Sequence, residues 1–243
     1  MTMSEKKAKP FHFKQFTIRQ DRCSMKVGTD GVLLGAWADT QGAEHILDIG
    51  TGSGLIAIML AQRAENARIH AVEVDPSAAE QARENVRACP WNSRLEVFPA
   101  AIQDYARSTP TRYHLVVSNP PFFSGGTFSL NQDRNSVRHT IKLPHGDLLS
   151  AARSLLAPTG KFCLILPYIE GLRFQELART YHLFCTKVTE VMPTKDKPVE
   201  RLLMQFEREE KAPEKDSLVI QHNKKNSWTS DYVRLAGDFY LKM

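Results

Sequence analysis

Ser118-Asn119-Pro120-Pro121-Phe122 describes a place where an amine can be held for attack. Just before it, Tyr113-His114-Leu115-Val116-Val117 is largely apolar and β-branched and predicts a buried strand. Asn-Pro-Pro stops that strand at once. Neither proline supplies a ladder N–H, and each fixes its own φ and pushes the preceding residue out of the helical region. Asn119 is thereby held stiffly at a strand's C-terminal end, the edge of an open α/β sheet where ligands bind. Its side-chain oxygen and the Pro120 carbonyl are acceptors for the two hydrogens of an exocyclic NH2. Phe122 offers a face on which a planar base can stack. The bland alternative is a plain turn, because N-P and P-P pairs punctuate loops everywhere.

The elements needed to position such a site lie upstream. His45-Ile-Leu-Asp48-Ile-Gly50-Thr-Gly52-Ser-Gly54 is a short apolar strand running into a glycine-rich turn, and Leu55–Ala61 continues as an apolar helix. Glycines let the backbone turn tightly and approach a ligand without interference from a Cβ. The dinucleotide fingerprint would need a further glycine where Leu55 stands, which argues against NAD or FAD. No lysine and hydroxyl close the turn as in a P-loop, so a nucleoside triphosphate is not expected there. A second strand, Ala67–Val72, ends in Glu73-Val74-Asp75-Pro76. Glu73 is the better placed acceptor for ribose hydroxyls and Asp75 the reserve. Asp75 also reads as a helix cap with Pro76 at the first helical position, and both readings can hold together.

The pattern Asp48-x-Gly50-x-Gly52-x-Gly54, then Glu73, then Asn119-Pro-Pro-Phe122, resembles the class I S-adenosylmethionine-dependent methyltransferases that act on an amino nitrogen. Phe13–Gln20, Met25-Lys26-Val-Gly-Thr29-Asp30 onward to Trp37, Arg138-His139 and the ending Asp238–Met243 are similar to the bacterial tRNA(Val) N6-adenine methyltransferases, which modify the adenine next to the anticodon. The resemblance covers nearly the whole chain. It implies an α/β, Rossmann-like fold: a seven-stranded, mostly parallel sheet with one antiparallel strand and helices on both faces. It implies S-adenosyl-L-methionine as cofactor, tRNA as partner and no metal. Lys26, Thr29 and Asp30 are then expected to cross over the cofactor, the last two near its methionine end, although Thr29 or Asp30 could equally cap a helix over Gly31–Trp37. Ala101 stands where many relatives carry an acidic residue near the cofactor adenine, and Asp104 is the nearest carboxylate for that place. Related Asn-Pro-Pro-aromatic turns serve guanine-N2 rRNA and protein-glutamine methyltransferases. A catalytically silent RNA-binding protein on the same scaffold is a further alternative.

Composition sets bounds on these readings. A chain of 243 residues with 42% apolar residues suits one core with small additions. We expect a basic N-terminal extension over 1–40, a methyltransferase core over 41–208 and a C-terminal extension over 209–243 packed on that core. Cys23, Cys89, Cys163 and Cys185 are scattered, which predicts free thiols in a reducing compartment rather than disulfides or zinc. No apolar run approaches the about 18 residues of a membrane span, so the cytoplasm is the expected location and no membrane or obligatory protein partner is evident. The net charge of +5 is unevenly spread. Cations gather before Val27, around Arg134, Arg138 and Lys142, and at Lys195, Lys197 and Arg201, where phosphates can be held.

Strands are predicted over Ile46–Ile49, Ile69–Val72, Leu95–Phe98, His114–Ser118, Lys161–Leu166, Phe184–Val191 and Arg201–Glu207. The last two form a hairpin that introduces the antiparallel strand. Helices are predicted over Leu55–Arg63, Pro76–Ala88, His145–Leu156 and Gly171–Thr180, with a short one around Asp231–Phe239. Lys211–Asn226 is polar and reads as loop. Phe122 to His139 has no period, and a loop of that length inside a compact domain is either functional or disordered. Phe122, Phe123, Arg134, Arg138 and His139 are its candidate substrate contacts. A lone histidine is more often structural than catalytic, and His139 carries both readings.

Overall fold

A computed structural model describes residues 8–121, 143–224 and 226–243. It opens with a short antiparallel pair, β1 (Phe11–His12) and β2 (Thr17–Ile18), followed by helix α1 (Thr29–Trp37). Strands and helices then alternate: β3 (His45–Ile49), α2 (Leu55–Arg63), β4 (Arg68–Glu73), α3 (Pro76–Ala88), β5 (Leu95–Pro99), α4 (Ile102–Ser108), β6 (Tyr113–Ser118), α5 (His145–Leu155), β7 (Leu156–Pro167) and α6 (Tyr168–Thr180). The chain ends with β8 (Phe184–Met192), β9 (Arg201–Glu207), β10 (Glu214–Val219) and α7 (Ser230–Ala236).

The large sheet has the order β10-β8-β9-β7-β6-β3-β4-β5. Strands β3 to β7 are parallel, β9 runs antiparallel to both β7 and β8, and β10 returns parallel to β8. One antiparallel strand in a mostly parallel sheet was the expectation, but the sheet has eight strands rather than seven. The extra one, β10, lies in the segment read as loop. Its first four residues are exposed and only Leu218 is buried, so it carries no alternating apolar signal. Charged side chains on such an edge also discourage pairing with other chains. Strand β7 begins earlier than expected because the chain makes an irregularity opposite Tyr113 and Leu115. Gly160 allows it: a Cβ there would lie 2.6 Å from the Tyr113 carbonyl oxygen.

Helices cover both faces. One core packs α1, α2 and α3 against the sheet and takes in Phe13, Phe16, Tyr232 and Phe239 from the chain's two end segments. The other packs α4, α5 and α6 around Phe162, Phe174 and Phe206. The end segments meet on the first face: Phe13 bridges Tyr240, the Lys14 amide donates to the Phe239 carbonyl at 2.8 Å, and Lys14 Nζ donates to the Gly237 carbonyl at 2.6 Å. Helix α4 lacks a sequence counterpart because only Ile102 and Tyr105 of its seven residues are buried, too few to show a period.

Candidate active site

Strand β3 sits between β4 and β6, where the sheet's connections reverse direction, and the carboxyl ends of strands at such a point form a crevice. Ile49 and Ser118 are register partners on β3 and β6, and Ser118 Oγ donates to the Ile49 carbonyl at 2.9 Å. The glycine turn and Asn119 therefore leave adjacent parallel strands at the same level. Both line one open cavity of about 670 Å³.

The turn's shape follows from its glycines. Gly50, Gly52 and Gly54 have φ of 72°, 56° and 83°, in the left-handed region that disfavours side chains. The amides of Gly50 and Thr51 donate to the Val72 carbonyl at 2.9 and 3.1 Å, which ties the turn to β4. Asp48 lies beneath it, fully buried, accepting from Thr51 Oγ1 at 2.6 Å and the Ala57 amide at 3.2 Å. Burial pushes its carboxyl up to about 7, because the charged form has lost its water. Its other oxygen has no hydrogen-bond partner among the described residues. Asp48 thus braces the turn from below and does not line the cavity.

Glu73 stands at the end of β4, bonded to the cavity-lining Gly52 but not itself part of the cavity's lining. One oxygen accepts from the Gly52 amide at 2.8 Å and the other from the Asp75 amide at 2.9 Å. Each carboxylate oxygen has two lone pairs, so both retain capacity for a ligand hydroxyl. Asp75 caps α3, its Oδ1 accepting from the Ala78 amide at 2.8 Å with Pro76 in the first turn, as one of the two readings expected.

Residues Lys26 to Gly31 form another wall of the cavity. Lys26 Nζ donates to the carbonyls of Gln20 and Cys23 at 2.7 and 2.6 Å, which folds the preceding segment into a strap. Helix α1 starts at Thr29 with Gly28 as its cap and no side-chain capping bond, so neither Thr29 nor Asp30 acts as the cap. Asp30 Oδ2 instead receives Arg201 Nε at 2.9 Å, an ion pair between α1 and β9 within the cavity wall. The remaining wall comes from the ends of β8 and β10 and from Trp228, Tyr232 and Tyr240.

Asp104 does not join this group. It is exposed on α4, pairs with Arg107 and does not line the cavity, and Ala101 caps that helix. Gly54 faces α3, near Ala82, rather than the cavity. Phe122, Phe123, Arg134, Arg138 and His139 lie outside the described residues.

Two residues were missed by reading the sequence. Asn85, on α3 and 1% exposed, accepts from the Arg19 amide at 2.9 Å and donates to the carbonyls of Arg19 and Ser53, both at 2.8 Å. Gln81, one helical turn earlier and fully buried, accepts from the Arg22 amide at 3.0 Å. Together they fasten the strap to the glycine turn. The available signal was two amides four apart on a helix whose neighbouring alanines mark its buried face.

Among the described residues no group of three His, Cys, Asp or Glu could hold a metal, and no helix is long and apolar enough to cross a membrane. All four cysteines are free, and burial pushes the Cys23 and Cys185 thiols up to about 11.

The methyltransferase small domain family matches residues 25–168. A solved structure described as a "predicted O-methyltransferase" from Agrobacterium tumefaciens superposes with a TM-score of 0.67 at 20% identity, covering 86% of this chain and 96% of that one. The sheet, the glycine turn and these likenesses define a class I methyltransferase, for which S-adenosylmethionine is the methyl donor. Relatives named tRNA1(Val) (adenine(37)-N6)-methyltransferase are 48% identical in Trichodesmium erythraeum, over 96% of this chain and 98% of the relative, and 43% identical in Proteus mirabilis, over 95% and 93%. The chain belongs to that family.

Proposed function

We propose that this protein transfers a methyl group from S-adenosylmethionine to the exocyclic N6 of the adenine beside the anticodon of valine tRNA. One observation carries the reading: the glycine turn and Asn119 leave neighbouring strands at one level and line one cavity. A donor and an amine can therefore be held in contact there.

The residues fit the donor. The cavity volume lies in the range of small-molecule sites, about 300–1,000 Å³. Glu73 retains acceptor capacity for ribose hydroxyls, the glycine turn allows close backbone approach, and Asp30 supplies a carboxylate toward a methionine ammonium. Lys26 and Thr29 close the wall beside them. Bound there, the cofactor supplies an electrophilic methyl on a sulfonium.

The chain's task is then to aim a weak nucleophile. The lone pair on an adenine amino group is delocalised into the ring. Hydrogen bonds from its NH2 to Asn119 Oδ1 and the Pro120 carbonyl localise that pair and orient it. The N–C bond forms as the S–C bond breaks, leaving a neutral thioether, and the extra proton on nitrogen passes to water. Positioning supplies most of the acceleration. The base must leave its stack to enter the cavity, which suits an anticodon loop, and stacking on Phe122 offsets part of that cost.

Residues 1–40 then act as the cofactor-covering extension and 209–243 as the C-terminal extension around the 41–208 core. The cytoplasm, where tRNA is modified, is the fitting location. The test uses purified protein, labelled S-adenosylmethionine and total tRNA from a strain lacking the enzyme, with nucleoside analysis of the product. N6-methyladenosine confined to valine tRNA is expected. Transfer instead to ribosomal guanine or to a protein glutamine would overturn the substrate and keep the chemistry at Asn119.

A further inference from the structure

Strand β10 brings together two loops that are distant in sequence. The Ile220 amide donates to the Met192 carbonyl and the Gln221 amide to the Pro193 carbonyl, both at 2.9 Å, and Asn223 Nδ2 donates to Asp196. The second loop is held closed by a bridge between Gln221 and Trp228 and by the His222 amide donating to the Ser227 carbonyl at 2.8 Å. The β8–β9 connection and the loop after β10 thus lie side by side as one surface. That surface reaches the active-site cavity, since Thr194, Arg201, Gln221 and Trp228 line it together with Asn119.

Its chemistry is consistent along its length. Lys195, Lys197 and Lys224 are exposed. The same loops carry two acids, Asp196, which accepts from Asn223, and Glu200, so the exposed lysines outnumber them. Trp228 is half-buried against Tyr232, with ring centroids 5.6 Å apart, and keeps part of its indole toward the cavity. A row of cations beside an aromatic face is how single-stranded nucleic acid is held without base-pair readout: cations follow the phosphates and the ring stacks a base.

We propose that these paired loops are a docking platform for the single-stranded RNA that flanks the target adenine. Trp228 stacks one unpaired neighbouring base while Lys195, Lys197 and Lys224 neutralise its phosphates. This rests on the RNA reading above and adds to it a path for the strand, on the β8–β10 side of the cavity. An everted adenine needs its neighbours held out of their stack, and a stacking ring beside the pocket meets that need.

The test measures the affinity of the full chain for a hairpin carrying the valine anticodon loop over a range of salt concentrations. Combined Lys195→Ala, Lys197→Ala and Lys224→Ala should lower the slope of log affinity against log salt by roughly two to three units. Its affinity for S-adenosylmethionine should stay at the wild-type value. Trp228→Ala should weaken RNA binding about tenfold with the slope unchanged, and Trp228→Phe should recover most of that loss. Unchanged slope and affinity in all variants, with wild-type protein still methylating valine tRNA, would overturn the platform alone. Wild-type protein that binds no RNA loop would overturn the functional reading and the platform with it.

Discussion

Among the described residues Asn119 has no side-chain hydrogen-bond partner, so its amide can meet a ligand without first breaking a contact to them. Asn119→Ala should therefore cost at least two orders of magnitude in turnover, about 2.7 kcal/mol of barrier, with cofactor affinity little changed. Single-turnover rates and calorimetry separate the two, and near-normal turnover would place the amine elsewhere. Asp48 exposes a different property of the turn. Its carboxyl sits near 7 in the folded protein, well above the ordinary value of a free aspartate. Between about 4 and 7 the folded chain thus holds a proton that the unfolded chain has lost. Stability from this group falls as pH rises through that window and is level above it. Asp48→Asn has no proton to lose there. The difference in melting temperature between wild type and Asp48→Asn should drift across pH 4 to 7, against the wild type at the upper end, and a constant difference would deny the shifted carboxyl.

Helix α3 does more than pack against β5. Through Asn85 and Gln81 its buried face binds both the glycine turn and the strap that carries Lys26 to the cavity. Asn85→Ala leaves the Ser53 carbonyl and both backbone groups of Arg19 without partners, at about 1–3 kcal/mol of stability. We expect KM for S-adenosylmethionine to rise severalfold with a much smaller change in kcat, because the turn and strap loosen while Asn119 stays in place. Gln81→Leu breaks the strap contact at Arg22 and a bond to Glu84 but leaves the glycine turn's link through Ser53, and should raise KM less. Equal effects from the two substitutions would mean that the link through Ser53 is not what matters.

The molecule as a whole gathers its two end segments on one face, around α1 and α7, and leaves the carboxyl ends of the parallel strands open to one cavity. With a net charge of +5, RNA affinity should fall steeply with salt. Arg138→Ala, in the segment following Asn-Pro-Pro-Phe, should lower the salt slope by roughly one unit. Titrating tRNA at several salt concentrations checks this, and an unchanged slope would move the RNA path away from that segment.

What could be read directly from residues was local. Leu55–Arg63, Pro76–Ala88 and Arg201–Glu207 form their elements with the boundaries expected, because apolar period, a proline start or an Asp cap act over a few residues. The glycine turn and the abrupt end of β6 before Asn119 were legible as local structure for the same reason: positive φ and Pro-Pro stiffness are properties of short segments. Tertiary structure alone decided the rest. Strand β10 exists because β8 offers an unpaired edge, not because Glu214–Val219 has a strand pattern. Asp30 pairs with Arg201 across 171 positions, and Asn85 reaches Arg19 across 66, separations at which no local pattern carries information. Asp48 and Asp104 show the limit most clearly. Both carboxylates sit close to the right place in sequence, yet packing turns the first beneath the turn and leaves the second on an exposed helix facing Arg107. Residue type and spacing set what chemistry was possible; the direction each side chain faces was set by the layers packed around it.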